Sequence, residues 1–222
     1  MKDVKKLRLN LGCGHQRPAG WHNADCSLNA LLQRIPLLGN IMAKVSGATE
    51  YHSHNVHYID IAARWRFGNG DVDVVYASHV LEHLSLRDAN HFLQEASRVL
   101  RPDGVLRLVV PDLLATAREY IAESEQGVQD AAANMLAVLN LHRDNAYSPT
   151  SHWLHRACHA LQGWPHQHKY MYDHTALQAL FEQHGFREIR KCSYAQSVHL
   201  PEVTDVENTA EGVPSLYLEA LK

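Results

Sequence analysis

Apolar and polar positions along this chain fall into two periods that alternate from one end to the other. Leu7 to Leu11 is a short apolar-rich run ending in Gly12 and Gly14, and it reads as a first buried strand. Trp21 to Asp25 and Val56 to Ile61 read as a second and a third strand. Val72 to Ala77 is nearly continuous in apolar residues, the pattern of a parallel strand covered on both faces. The period then changes. Ser85-Leu-Arg-Asp88 has the form of a capping box, and Ala89, Leu93, Ala96, Val99 and Leu100 follow at helical spacing.

Pro102-Asp-Gly104 is a turn, and Val105 to Val110 is the next buried strand. Asp112 opens a helical region predicted to reach about Leu141, with a weak point at Gly127. Asp173 opens a further helix carrying Ala176, Leu177, Leu180 and Phe181, which stops at Gly185. Phe186 to Ser193 and Ser215 to Leu221 complete the chain as two last strands. Strands alternating with helices at this spacing predict an α/β fold, a Rossmann-like doubly wound sheet with helices on both faces. The 222 residues suit one domain, with two insertions at 28–50 and 142–170.

Composition narrows the function more than the fold. A formal charge of −3, with basic residues scattered, argues against a nucleic-acid partner. No run approaches the length of a membrane span, so stable membrane insertion is not expected. Four cysteines lie far apart, without a CxxC pair, which suits reduced thiols and a cytoplasmic protein. The basic start leads straight into the first strand, leaving no room for a signal peptide.

In open α/β sheets a ligand sits beyond the carboxyl ends of the strands, beside strand one. Leu-Asn-Leu-Gly-Cys-Gly (9–14) stands at that place. Glycines there let the backbone turn and let its N–H groups meet an anionic ligand. Three further pieces follow in order. They are Asp60-Ile61, then Ser78-His-Val-Leu-Glu-His83 after the fourth strand, then Arg98-Val-Leu-Arg-Pro-Asp-Gly104 running on to Pro111-Asp112. Together the four resemble the class I S-adenosylmethionine-dependent methyltransferases, nearest to a small group that reads LNLGCG, LEHL and RVLrPdG. The resemblance is strong over the first half of the chain and weak over the last fifty residues.

The resemblance implies S-adenosylmethionine as cofactor and a seventh strand running antiparallel between its neighbours. It implies that Asn10, Gly12, Cys13 and Gly14 surround the methionine part, with Asn10 where many relatives have an acid. Asp25 would take the ribose hydroxyls, or serve as an ordinary loop aspartate. Asp60 would approach the adenine amine, Ile61 would pack its ring, and Ser78 and His79 would line the same cleft. Glu82-His83 is a hallmark of the group, and Glu82 serves either the ligand or the loop that carries it. Relatives of this pattern are associated with cell-surface carbohydrate assembly. That makes a small-molecule acceptor, a sugar or sugar-nucleotide hydroxyl, the implied substrate.

Two departures stand against this pattern. Gln16 occupies the third glycine position. Only six residues separate Gly14 from Trp21, whereas a parallel crossover usually needs about a dozen or more. The helix there is predicted to shrink to about one turn, shaped by Pro18 and Gly20. These departures keep a second reading open, a binding or regulatory protein that has the fold without catalysis.

A hydroxyl acceptor benefits from a general base, and His79 is the first candidate, with Asp112 second or, more in keeping with its position, a helix cap. Histidines are abundant, 17 in all. His152, His155 and His159 share a helical face and suggest zinc, but no carboxylate accompanies them, so a polar segment over the cleft is preferred and no metal is expected. His166, His168 and Tyr170 to Tyr172 are candidates for the acceptor pocket. Residues 28–49 read as two short helices on the core, a lid, or a partner surface. Nothing in the pattern decides between monomer and homodimer.

Overall fold

The structure, a computed structural model, describes residues 6–14, 16–26, 56–141, 167–207 and 212–222. Seven strands form one sheet in the order β3-β2-β1-β4-β5-β7-β6. They are β1 (Arg8–Leu11), β2 (His22–Asp25), β3 (Val56–Tyr58), β4 (Val72–Ser78), β5 (Leu100–Pro111), β6 (Arg187–Cys192) and β7 (Ser215–Leu221). All pairings are parallel except those of β7, which runs antiparallel between β5 and β6. The seven strands and the reversed last one agree with expectation, but β5 starts at Leu100 and runs through Pro102-Asp-Gly104, which the sequence predicts as a turn before a strand at Val105. The sequence also overextends the third strand, whose ladder ends at Tyr58.

Helix α1 (Leu86–Val99) begins where the capping box places it, with the Ser85 hydroxyl accepting from Asp88 N at 3.2 Å. The long helical region beyond Asp112 is two helices, α2 (Leu113–Glu125) and α3 (Ala131–Val138). They part at Gly127, whose φ of 73° suits glycine. Helix α4 (His174–Gln183) is capped by Asp173, which accepts from Ala176 N at 2.8 Å, and Gly185 follows its C-cap with φ 78°.

The register sorts the side chains of the central strands into two faces. Leu9, Val75, Leu106 and Ala220 stand in one row across four strands, and Leu11, Ala77, Leu108 and Leu218 in another. Both rows are buried, and α1 and α4 cover them with Ala89, Phe92, Leu93, Leu177 and Phe181. Each buried leucine or phenylalanine contributes about 1.5–3 kcal/mol.

One position along, the other face carries Asn23, Asn10, Tyr76, Arg107 and Glu219 in a single row across five strands. All five are buried. Among the described residues, the 200–206 turn covers part of this face, with Leu200, Val203 and Val206 on Trp21, Val74 and Tyr76. Helices α1 and α4 lie on the opposite face, over the Leu9 and Leu11 rows.

The connection from β1 to β2 differs from expectation. Residues 16–20 contain no helical turn. Two side-chain amides replace it. Asn10 donates to the Gln16 carbonyl at 2.8 Å and to Asn23 Oδ1 at 3.0 Å, while Asn23 donates to the Pro18 carbonyl at 3.1 Å. The buried pair gives the short connection the hydrogen bonds a helix would have supplied internally.

Candidate functional site

β1 and β4 are neighbours in the middle of the sheet although β2 and β3 lie to one side and β5 to the other. That reversal of strand order is the place where an open sheet leaves a crevice. The turn after β1 fills it. Gly12 has φ 68° and Gly14 φ 48°, both left-handed. A Cβ on Gly12 would stand 2.2 Å from Val80 Cγ2, so the residue is confined to glycine by a neighbour as well as by its backbone. A Cβ on Gly14 would meet nothing within 4 Å, so its surroundings are open.

Asp25, at the end of β2, reaches the same turn and accepts from Gly14 N at 3.2 Å. Cys13 is buried, its N–H bonded to the Ala24 carbonyl at 3.0 Å. Burial first, and the Asp25 charge second, push its thiol up to about 12, so it stays protonated and unreactive at neutral pH. Asp60 is exposed beyond β3, and its carboxylate accepts from Ala62 N at 3.0 Å. Ile61 beside it is buried in the main core.

Ser78 ends β4 and lines a narrow recess, about the size of one water molecule, with Gln16, Tyr76, Tyr194, Glu207 and Tyr217. His79 leaves the sheet with φ 52°, its N–H bonded to the Val109 carbonyl at 2.9 Å. The left-handed backbone turns its ring back across the strand ends. There Nδ1 lies 3.1 Å from Glu82 Oε1 and Nε2 lies 3.3 Å from Ser215 Oγ. His79 is thus held from both sides, as a base or a positioning residue must be.

Asp112 acts first as a cap. Its carboxylate accepts from Ala115 N at 3.1 Å, and Lys191 Nζ stands 3.5 Å from the other oxygen. Asn10, in the buried amide pair, shapes the turn from behind.

Sequence reasoning missed how Glu82 and His168 come together. Glu82 is fully buried, and its backbone carbonyl accepts from Lys169 N at 2.7 Å and Tyr170 N at 3.2 Å. This brings His168 and Tyr172 against the loop after β4. The signal available was the adjacency of Glu82 and His83, but nothing local links it to a histidine eighty-five residues further on. His152, His155, His159, His166 and both insertions' central parts lie outside the described residues. Among the described residues no helix is long and apolar enough to cross a membrane.

A switch-point crevice with a two-glycine turn, an acid at the end of the next strand and a Glu-His loop after the fourth is the arrangement that the sequence resemblance implies. Residues 9–108 match the model of the methyltransferase domain family. No curated protein matches the sequence. The structure is similar to that of DszA carbon methyltransferase, with TM-score 0.50 and 15% identity over 100% of this chain and 48% of that one. A methyltransferase from Archaeoglobus fulgidus gives TM-score 0.48 at 14% identity, covering 98% and 87% of the two chains. PigF, solved with S-adenosylhomocysteine, gives 0.48 at 12%, covering 98% and 50%. This chain spans about half the length of the first and the last of these proteins.

Proposed function

We propose that this protein transfers a methyl group from S-adenosylmethionine to a hydroxyl of a small-molecule acceptor, a sugar or sugar nucleotide. The observation that carries the reading is the Gly12–Gly14 turn. Two left-handed glycines stand at the switch point, one pressed on the loop after β4 and one open, with Asp25 at their back. The residues fit the cofactor. Open space at Gly14 admits its methionine end, and acids at Asp25 and Asp60 offer acceptors for ribose hydroxyls and the adenine amine. Ile61 supplies an apolar neighbour for the ring, and Ser78 and His79 the wall toward the acceptor.

Bound S-adenosylmethionine supplies a methyl group already activated by its sulfonium, so the chain's work is alignment and water exclusion. Tyr76, Tyr194 and Tyr217 give the adjoining recess aromatic faces, while Ser78, Gln16 and Glu207 give it polar edges. His79, fixed by Glu82 and Ser215, takes the proton of the acceptor hydroxyl; Asp112 holds the helix that follows β5.

Calorimetry with S-adenosylmethionine and S-adenosylhomocysteine tests the cofactor directly. We expect binding of both, lost in Gly14→Val and weakened in Asp60→Ala. Absence of binding by either would sink the reading. Binding without turnover across a panel of sugar nucleotides would leave the chain a binding protein with a methyltransferase fold. His79→Ala should keep cofactor affinity and cut turnover; an unchanged rate removes His79 from the chemistry.

A further inference from the structure

Glu82, His83 and His168 form a cluster that cofactor binding does not use. One donor atom from each lies within 4.8 Å of the other two. Neither carboxylate oxygen of the fully buried Glu82 has an aligned hydrogen-bond donor among the described residues. His79 Nδ1 lies 3.1 Å from Oε1. His168 Nδ1 is also buried without a hydrogen-bond partner. A carboxylate this deep ordinarily pairs fully or holds a metal ion.

We propose that Glu82, His83 and His168 bind a divalent first-row transition-metal ion of the zinc class. The donor set supports that choice. Two imidazoles and one carboxylate suit zinc, cobalt or iron(II) and disfavour magnesium and calcium, which prefer oxygen throughout. Ligand atoms about 2.0–2.2 Å from a tetrahedral ion stand roughly 3.4 Å apart. The cluster needs side-chain rotations that close it by about an ångström.

Metal-bound histidines usually give their second ring nitrogen to a backbone carbonyl. His83 Nδ1 lies 3.4 Å from the Gln167 carbonyl. The two rings meet edge to face, 5.0 Å between centroids. The cluster therefore joins two segments far apart in the chain, 82–83 and 167–168. Three protein ligands leave at least one coordination position open. The site stands independently of the acceptor's identity.

Cobalt(II) is the probe. Titrating the metal-free full-length protein with Co²⁺ should produce visible d–d absorption that saturates at one equivalent and is displaced by Zn²⁺. His168→Ala and Glu82→Gln should each weaken Co²⁺ binding at least tenfold, and His57→Ala, away from the cluster, should leave it unchanged. Circular dichroism and S-adenosylmethionine calorimetry on the same samples report fold and cofactor site separately from the metal. If the folded His168→Ala and His83→Ala variants bind Co²⁺ as the wild type does, other histidines hold it and the proposal is overturned. No stoichiometric band in the wild type overturns it equally.

Discussion

The two faces of this sheet are built by opposite means from adjacent positions of the same strands. Leu9, Val75, Leu106 and Ala220 make a row that needs only shape and exclusion of water. One residue along, Asn10, Tyr76, Arg107 and Glu219 make a row in which every member needs a partner. Arg107 finds two. Its Nε and Nη2 reach the two oxygens of Glu207 at 2.6 and 2.8 Å, and Nη1 lies 3.3 Å from Glu219. Burial opposes its charge, and the Glu207 hydrogen bonds with the nearby acids more than offset that, holding the guanidinium firmly protonated. The acids in turn fasten the connection from β6 to β7. Glu207 accepts from Ala195 N at 2.8 Å, and Glu219 accepts from Ser197 Oγ, Val198 N and His199 N. Where helices cover the sheet, packing suffices. Where an irregular segment covers it, charge and hydrogen bonds fix its course.

Substitutions that attack each face separately should break this contrast in order of size. Arg107→Met removes the one cation among two buried acids and should cost about 3–5 kcal/mol in urea unfolding. Adding Glu219→Gln should recover part of that loss. A smaller loss for the single variant than for loss of a surface ion pair would deny the triad its role. Leu93→Ala, under the apolar face, should cost about 2–5 kcal/mol through its cavity. That loss should not change with salt or between pH 6 and pH 8. A salt-dependent value would mean the faces are not mechanically distinct.

Asn23→Ala breaks the amide pair and should cost about 1–3 kcal/mol, leaving the Pro18 carbonyl and the Asn10 amide short of a partner. It should also weaken S-adenosylmethionine, because the glycine turn rests on this connection; unchanged affinity would separate the pair from the site. The smallest effect is a pH dependence at the edge. His22 stacks on His57 with 3.8 Å between ring centroids, and burial, then the His57 charge, hold its pKa below the usual range. The unfolded chain therefore takes up this proton first. Stability should fall as pH drops through about 6.5, by well under 1 kcal/mol, and be retained above it. His57→Ala should flatten that slope, which chemical denaturation between pH 5.5 and pH 8 reads directly.

The difference between the faces also explains what the sequence reveals of this protein. The apolar rows announce themselves as alternation and helical spacing, so β1, β4, β5, α1, α4 and their caps are legible from local pattern. Glycine at 12 and 14 is legible for the same reason, since a turn writes its backbone needs into its own residues. The polar row is not. Asn10 looks like a substituted cofactor acid until Asn23 is beside it. The helical turn predicted after Gly14 rests on the usual length of a crossover, which two buried amides make unnecessary. Glu82 and His168 likewise meet only through the fold, as Lys169 and Tyr170 bind the Glu82 carbonyl.

The contact of Gly12 with Val80 has a consequence for how this sequence can vary. A methyl group added at position 12 would occupy the space of Val80 Cγ2. Variation at the two positions is therefore one variable rather than two. A descendant that gains a side chain at position 12 must lose one at position 80, and with it the present path of the loop bearing His79 and Glu82. Drift in the glycine turn is thereby tied to drift in the loop after β4, and a survey of relatives should find the pair changing together.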